Sequence, residues 1–424
     1  MQRLGRVFPL ALFVVIAACG DDGPSQSDID ANTSPADAVP DAPLPPFMDA
    51  VELALDTSSP PFNPAHLITA DFNRDGKEDF AILERQFDRL LVILNATPTG
   101  AGRPTLGQQI EAPLLLNPIR IAAADLNGDS KPDLVVTYGT TDPKVSVFMN
   151  STPTMGITPR FENRVEVDTT LDGEIPAFGD INGDGAPDLV VGSFGNTPTP
   201  GKVTILLDTT AHGATAATFG SKVELTAGFG VNAIAIADFD DDGKQDIAVT
   251  NVVSDRVSVL RNTTTNASTP TFAPPIEVPT AMGPSGIVAV DLDLDGRRDL
   301  AVTARDANMV SRLINTTTAS GSIAFATPTD RPVGGWPSSI AAGVHDRAQH
   351  HGHGEHHGFL PFIAAANDAR DAITVLYGVS LSRYYDIPLT ASARHVVVAD
   401  FNNDGKDDVA AIASSAALTI ALAR

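Results

Sequence analysis

The sequence predicts an all-β protein, a seven-bladed β-propeller of four-stranded antiparallel blades whose ring is closed by the N-terminal strand. Three observations lead there. A nine-residue acidic pattern recurs at near-constant spacing, short apolar runs flank each copy, and 34 Gly and 32 Pro fall in bursts between those runs. The copies occupy residues 71–79, 125–133, 180–188, 238–246, 291–299 and 400–408, and the first reads Asp71-Phe72-Asn73-Arg74-Asp75-Gly76-Lys77-Glu78-Asp79. Successive first residues lie 54, 55, 58 and 53 apart, and the last interval, 109, is two repeat lengths. A fixed period of this kind is the mark of a repeat architecture, so one further copy is hidden. Aligning residues 336–343 with 231–238 puts Gly343 where its first Asp would stand.

Apolar runs of four to six residues, rich in Val, Ile and Leu and bounded by Gly, Pro and Asn, read as strands. Around the fourth copy they cover residues 234–237 before the loop, then 247–250, 257–260 and 276–278 after it. Four strands per period of about 55 residues, seven times over, is propeller arithmetic. Residues 47–55 resemble the fourth strands at 161–167 and 219–225, whereas the last copy stops after its third strand at 418–422. Residues 51–55 are therefore expected to complete the final blade, which removes two exposed sheet edges at once. The propeller domain is thus residues 47–424.

Ahead of it, residues 1–18 carry Arg3 and Arg6 followed by a 12-residue apolar run from Val7 to Ala18. A membrane span needs about 20 residues, and this length with a basic flank fits a secretory signal segment. Ile16-Ala17-Ala18-Cys19 resembles a bacterial lipobox, in which Cys19 becomes the lipid-bearing N-terminus. The alternative is an ordinary signal peptide with an incidental cysteine. The lipobox reading implies an exported protein, lipid-anchored in the bacterial cell envelope at the outer membrane or cell surface, that meets membrane through its N-terminal lipid only. Cys19 is the single cysteine, so no disulfide supports the fold. Residues 19–46 hold no Lys or Arg and six Asp among Pro, Ser and Ala, the composition of a disordered acidic tether. Asn-x-Thr sequences, such as those at Asn95 and Asn262, are read as polar hairpin loops rather than glycan sites.

The balance of 28 basic against 52 acidic residues, a net charge of −24, argues against nucleic acid or anionic lipid as the main partner and suits divalent cations. In each loop, acids or Asn at positions 1, 3, 5 and 9, with the position 7 carbonyl, make an oxygen cage suited to Ca²⁺. The Gly at position 6 permits the positive φ that the turn requires. Uncompensated carboxylates a few ångströms apart repel by roughly 1 kcal/mol or more per pair. Acidic turns without metal are the competing reading.

These loops share the first half of an EF-hand but lack its Glu at position 12, and strands flank them. They resemble the FG-GAP/VCBS repeats of integrin α-subunit propellers and bacterial surface proteins over residues 47–424. The resemblance implies side-chain ligands Asp71, Asn73, Asp75 and Asp79 in the first loop, and Asp125, Asn127, Asp129 and Asp133 in the second. In the third they are Asp180, Asn182, Asp184 and Asp188, and in the last Asp400, Asn402, Asp404 and Asp408. The fourth and fifth loops offer four acids each, Asp238, Asp240, Asp242 and Asp246, and Asp291, Asp293, Asp295 and Asp299. Ser130 replaces the Gly of the second loop, so that site is expected to be weaker, and the fourth and fifth to be tightest on charge count.

Two further features carry chemistry. His350, His351, His353, His356 and His357 crowd one Gly-rich window and read either as a transition-metal cluster or as a solvated insertion replacing a lost loop. The turns between second and third strands bear Arg89, Arg256, Arg305 and Arg370 beside acids, and Trp336, the only tryptophan, enters the same face. That face is a candidate glycan site, with cross-blade salt bridging as the alternative. The sequence thus supports a monomeric calcium-binding recognition or adhesion module for a glycan or a surface protein. The alternative is a polysaccharide-acting lyase or hydrolase working from the face opposite the acidic loops; no linear catalytic motif is present.

Overall fold

The computed structural model describes residues 47–55, 63–139, 144–153, 158–169, 173–346, 359–415 and 417–424. Among them every regular element is a strand, and 28 strands form seven four-stranded antiparallel sheets. Blades 1 to 6 occupy residues 64–113, 118–168, 173–226, 231–279, 284–332 and 337–388, and blade 7 joins 393–421 with 51–54. The first strand of each blade touches the first strands of both neighbours, so seven of them surround one axis.

Stacking sheets face to face explains the unbroken apolar runs. The second strands Asp79–Glu84 and Asp133–Tyr138 are buried along their whole length, because each face packs against a different blade. The outer strand Leu106–Pro113 is mostly exposed or half-buried. Between blades 7 and 1, Leu67, Phe80 and Ile82 meet Phe401, Ile412 and Leu418, and the rings of Phe80 and Phe401 are 4.9 Å apart. Each such side chain contributes roughly 1.5–3 kcal/mol of burial. In the last blade, Val51–Ala54 pairs antiparallel with Ala417–Ala421 in the register Val51↔Ile420 and Leu53↔Leu418. Phe47 bridges to Ala423 and is buried with its ring 5.5 Å from Phe362 of blade 6.

Every first strand carries a bulge just after its start, between Pro64 and His66 in blade 1 and at the matching place in the other six. A bulge re-aims one side chain out of the ladder. Here the re-aimed residues link blades 4 to 7: Asn232 donates to the Ser285 carbonyl, Ser285 to that of Pro337, and Ser338 to that of Arg394. Beside the bulges at the seam between blades 1 and 7, the buried imidazoles of His66 and His395 lie 4.1 Å apart.

The Asn-x-Thr sequences at Asn95 and Asn262 are not surface loops. Asn95 ends a third strand, Asn262 lies two residues past one, and both are buried. The Asn95 amide donates to the Phe401 carbonyl of blade 7, and that of Asn262 to the Ile181 carbonyl of blade 3. Asn150 and Asn315 make the same bond to Phe72 and Phe239. Each Asn oxygen also accepts the amide of the residue two ahead, Thr97 or Thr264 in these sequences. The Asn-x-Thr pattern is therefore an inter-blade tie. Blade 6 also departs from expectation. Gly343 does not open a loop but stays in strand Pro337–Asp346, paired with Phe362 of strand Phe359–Asn367. A Cβ there would lie 2.6 Å from the Phe362 ring, so only glycine lets this longer hairpin pass.

Blade 3 has Asp208 where the other ties have Asn. Its backbone amide makes the matching bond to Asp188, yet its Oδ2 is buried without a hydrogen-bond partner, and burial raises its carboxyl above the usual range. A carboxylate cannot donate to a neighbouring carbonyl as an amide does. Asp208→Asn is expected to stabilise the protein by about 1 kcal/mol, whereas Asn262→Ala destabilises it by about 1–3 kcal/mol. Chemical denaturation of the two variants checks both signs.

Candidate metal centre

The six acidic loops share one hydrogen-bond scheme. The first Asp accepts the amides of positions 5 and 6: in loop 1, Asp71 takes Asp75 N–H at 3.0 Å and Gly76 N–H at 2.8 Å. The last loop repeats this, Asp400 taking Asp404 and Gly405. Position 5 accepts the amide of position 7, as Asp75 does from Lys77. Position 2 is an apolar plug, and Phe72, Leu126, Ile181, Phe239, Leu292 and Phe401 are all buried between blades. These bonds curl the chain so tightly that φ is positive twice. Position 6 is the anticipated one, at 82° for Gly76 and 63° for Ser130. Position 4 is the other, including Arg74 at 62° and Leu294 at 64°, which the sequence reading did not anticipate.

Position 9 is fully buried in every loop. Asp79 accepts the Phe72 amide with one oxygen and the Asn95 amide, at the end of the third strand, with the other. Asp246 does the same with Phe239 and Asn262, and Asp408 with Phe401 and Ala423. Burial pushes these carboxyls up, and neighbouring loop acids push further, to about 7 for Asp79, Asp133, Asp188, Asp246 and Asp408 and to about 6 for Asp299.

In loops 4 and 5 the acids converge: oxygens of Asp238, Asp240 and Asp246 lie within 4.8 Å of one another, as do those of Asp291, Asp293 and Asp299. Asp240 is 2% exposed. Its Oδ2 accepts the Gly321 amide of blade 5 at 2.6 Å, while its buried Oδ1 has no donor. The Asp293 Oδ1 is likewise without one. An orphaned buried carboxylate oxygen in an all-oxygen nest fits a hard divalent cation. In the second and last loops the third residue is Asn, and its amide donates outward, Asn127 to the Ala214 carbonyl and Asn402 to that of Ala101, the Asn402 amide also reaching Asp404. Position 7 cations sit on position 5 acids in three loops: Lys131 on Asp129, Lys244 on Asp242 and Arg297 on Asp295.

The opposite face separates the other candidates. Arg89 is engaged within its own blade, 2.9 Å from Glu111 and 3.5 Å from Glu84. Arg370 pairs with Asp386 at 2.6 Å in its own blade. Arg256 is exposed at the start of its strand. Arg305 alone joins Trp336, its guanidinium 5.1 Å from the indole ring centre. The ion pairs named here thus run within blades, not across them. His350, His351, His353, His356 and His357 lie outside the described residues, as do Cys19 and the rest of residues 1–46.

A ring of seven antiparallel blades with acidic turns between first and second strands defines a class of repeat propellers. A model of the FG-GAP-like repeat matches residues 71–136, 125–191, 180–249 and 238–302, together more than half of the 424 residues. The chain belongs to the FG-GAP-like repeat family. No curated protein matches it. Among solved structures it is similar to BBS1N, crystallised in complex with ARL6DN, at 14% identity and a TM-score of 0.53 over 89% of this chain and 98% of that one. It is also similar to a chain of apo ctPRC2 in an autoinhibited state, at 10% identity and a TM-score of 0.53 over 90% and 98%. A humanized mutant of the Chaetomium thermophilum Polycomb Repressive Complex 2 bound to the inhibitor GSK343 gives the same values. At these identities the likeness is one of fold.

The raised carboxyls set a sign for pH dependence. Unfolded aspartates release their protons near the ordinary value of 3.8, whereas the folded ones hold theirs to about 7. The folded state therefore binds more protons across that window, and stability falls as pH rises through it. In chelator, the melting temperature is expected to be higher at pH 5 than at pH 7.5, measured by calorimetry at constant ionic strength.

Proposed function

We propose that this protein is a calcium-stiffened recognition module of the cell envelope, binding a glycan or a surface protein through the face opposite its acidic loops. The observation that carries the calcium reading is the Asp240 Oδ1, buried and without a donor among Asp238 and Asp246. Asp238, Asp240, Asp242 and Asp246 would hold one ion, Asp291, Asp293, Asp295 and Asp299 another, and the four Asn-bearing loops weaker ones. The ion supplies charge compensation and a rigid link between the first and second strands. FG-GAP-like repeats support a binding role, and the basic, apolar leader ending at Cys19 supports export and lipid anchoring.

At pH 7.5, EDTA is expected to lower the melting temperature and calcium to restore it; an unchanged melting temperature would sink the calcium reading. Asp240→Asn separates geometry from charge. Four loops carry Asn at this position, but in loop 4 the outward oxygen must accept the Gly321 amide, which turns the new amide nitrogen toward the ion. This variant is expected to lose one tight calcium site in titration calorimetry, with the remaining sites unchanged. For the anchor, Cys19→Ser is expected to abolish palmitate labelling of the expressed protein and move it to the soluble fraction.

A further inference from the structure

Three connectors between consecutive blades are built alike. An Asp or Asn with positive φ closes the turn between second and third strands, and its side chain accepts the amide of a left-handed residue entering the next blade. The pairs are Asp88 with Asn117, Asp255 with Gly283, and Asn308 with Trp336, at 2.6, 2.8 and 2.7 Å. The left-handed residue has φ of 58° in Asn117 and 74° in Gly283, residue types that tolerate it. Blade 6 instead places the only tryptophan there, at 51°. A bulky side chain in this region is strained, and strain of this kind persists where the side chain is used.

Polar groups surround that indole. Arg305 lies over it, and the Trp336 carbonyl accepts the Asp368 amide. The Asp368 carboxyl bonds the Ser338 hydroxyl and lies within the electrostatic reach of Arg394 and Arg305, and its Oδ1 has no hydrogen-bond partner. Ser338 and Arg394 are the bulged residues of blades 6 and 7, re-aimed out of the sheet toward the same end of the ring. A half-buried aromatic face rimmed by guanidinium donors, a carboxylate acceptor and a hydroxyl matches a pyranose, which has an apolar ring face and hydroxyls around its edge. The net charge of −24 opposes a polyanionic chain.

We propose that Trp336, Arg305, Asp368 and Arg394 form a subsite for a neutral hexopyranose, the sugar ring resting on the indole face that Arg305 leaves uncovered. This inference rests on the recognition reading and gives it a ligand class and an address. The test is calorimetric titration of the full chain in calcium with maltotetraose, cellotetraose and mannotetraose, with tetragalacturonate as the acidic control. The wild type is expected to bind at least one neutral probe. Trp336→Gly restores the residue type of the blade 5 connector, so its melting temperature should equal or exceed that of wild type while sugar affinity falls more than tenfold. Trp336→Tyr should keep part of the affinity. Absence of neutral-sugar binding, binding of the acidic probe alone, or unchanged affinity in Trp336→Gly overturns the subsite. So does a lower melting temperature in Trp336→Gly, which would make the indole a packing group. The response of the melting temperature to EDTA, measured on the same samples, reports separately on the calcium-stiffened module.

Discussion

One buried carboxylate in each of six blades ties together the parts on which the ring depends. The ninth residue of each acidic loop receives an amide from the loop's apolar plug and another from the end of the third strand. It therefore fixes the first strand, the loop and the third strand to one point. The plug in turn fills the gap between blades, and its carbonyl accepts the Asn tie of the next blade in four cases. Geometry inside a blade and packing between blades thus share a single group. That group is held away from water, so its charge has to be met by a proton or by a cation.

The repeat and its consequences were legible because they are periodic. Loop spacing gave blade number, and the missing fourth strand of the last copy pointed to residues 51–55, where Val51–Ala54 pairs with Ala417–Ala421. What escaped was encoded in partners from distant parts of the chain. Asn262 looks like a loop residue until the Ile181 carbonyl, 81 residues away in sequence, is seen against its amide. The positive φ at position 4 has no residue signature, since Arg74, Asp241 and Leu294 all adopt it; the paired bonds to the first Asp impose it. In blade 6 the strand register matches Pro337 with Val231, so Val344 and not Gly343 stands where the first Asp is expected; Gly343 is required instead by the Phe362 ring of the next strand, which no local alignment reveals. The His66 and His395 pair forms only when the first and last blades meet.

Antiparallel blades give the ring two chemically different ends. Acidic loops and the connections that touch them occupy one end, as where Gly321 of blade 5 meets Asp240 of blade 4. The other end carries the bulges, the left-handed connectors and Arg89, Arg256, Arg305 and Arg370. Within it, Arg89 and Arg370 pair with acids of their own blades, Arg89 also lies over Phe87, and Arg305 lies over Trp336. On the proposed reading, metal would sit at one end and recognition at the other, so the first would set the rigidity of the second without touching its partner.

If the six loops are cation sites and not merely acidic turns, each can hold one calcium ion. Native mass spectrometry of the propeller after dialysis against millimolar calcium counts the ions directly. Up to six per chain are expected, with those of the fourth and fifth loops the last to leave on dilution. A chain that carries no calcium while remaining folded would contradict this reading.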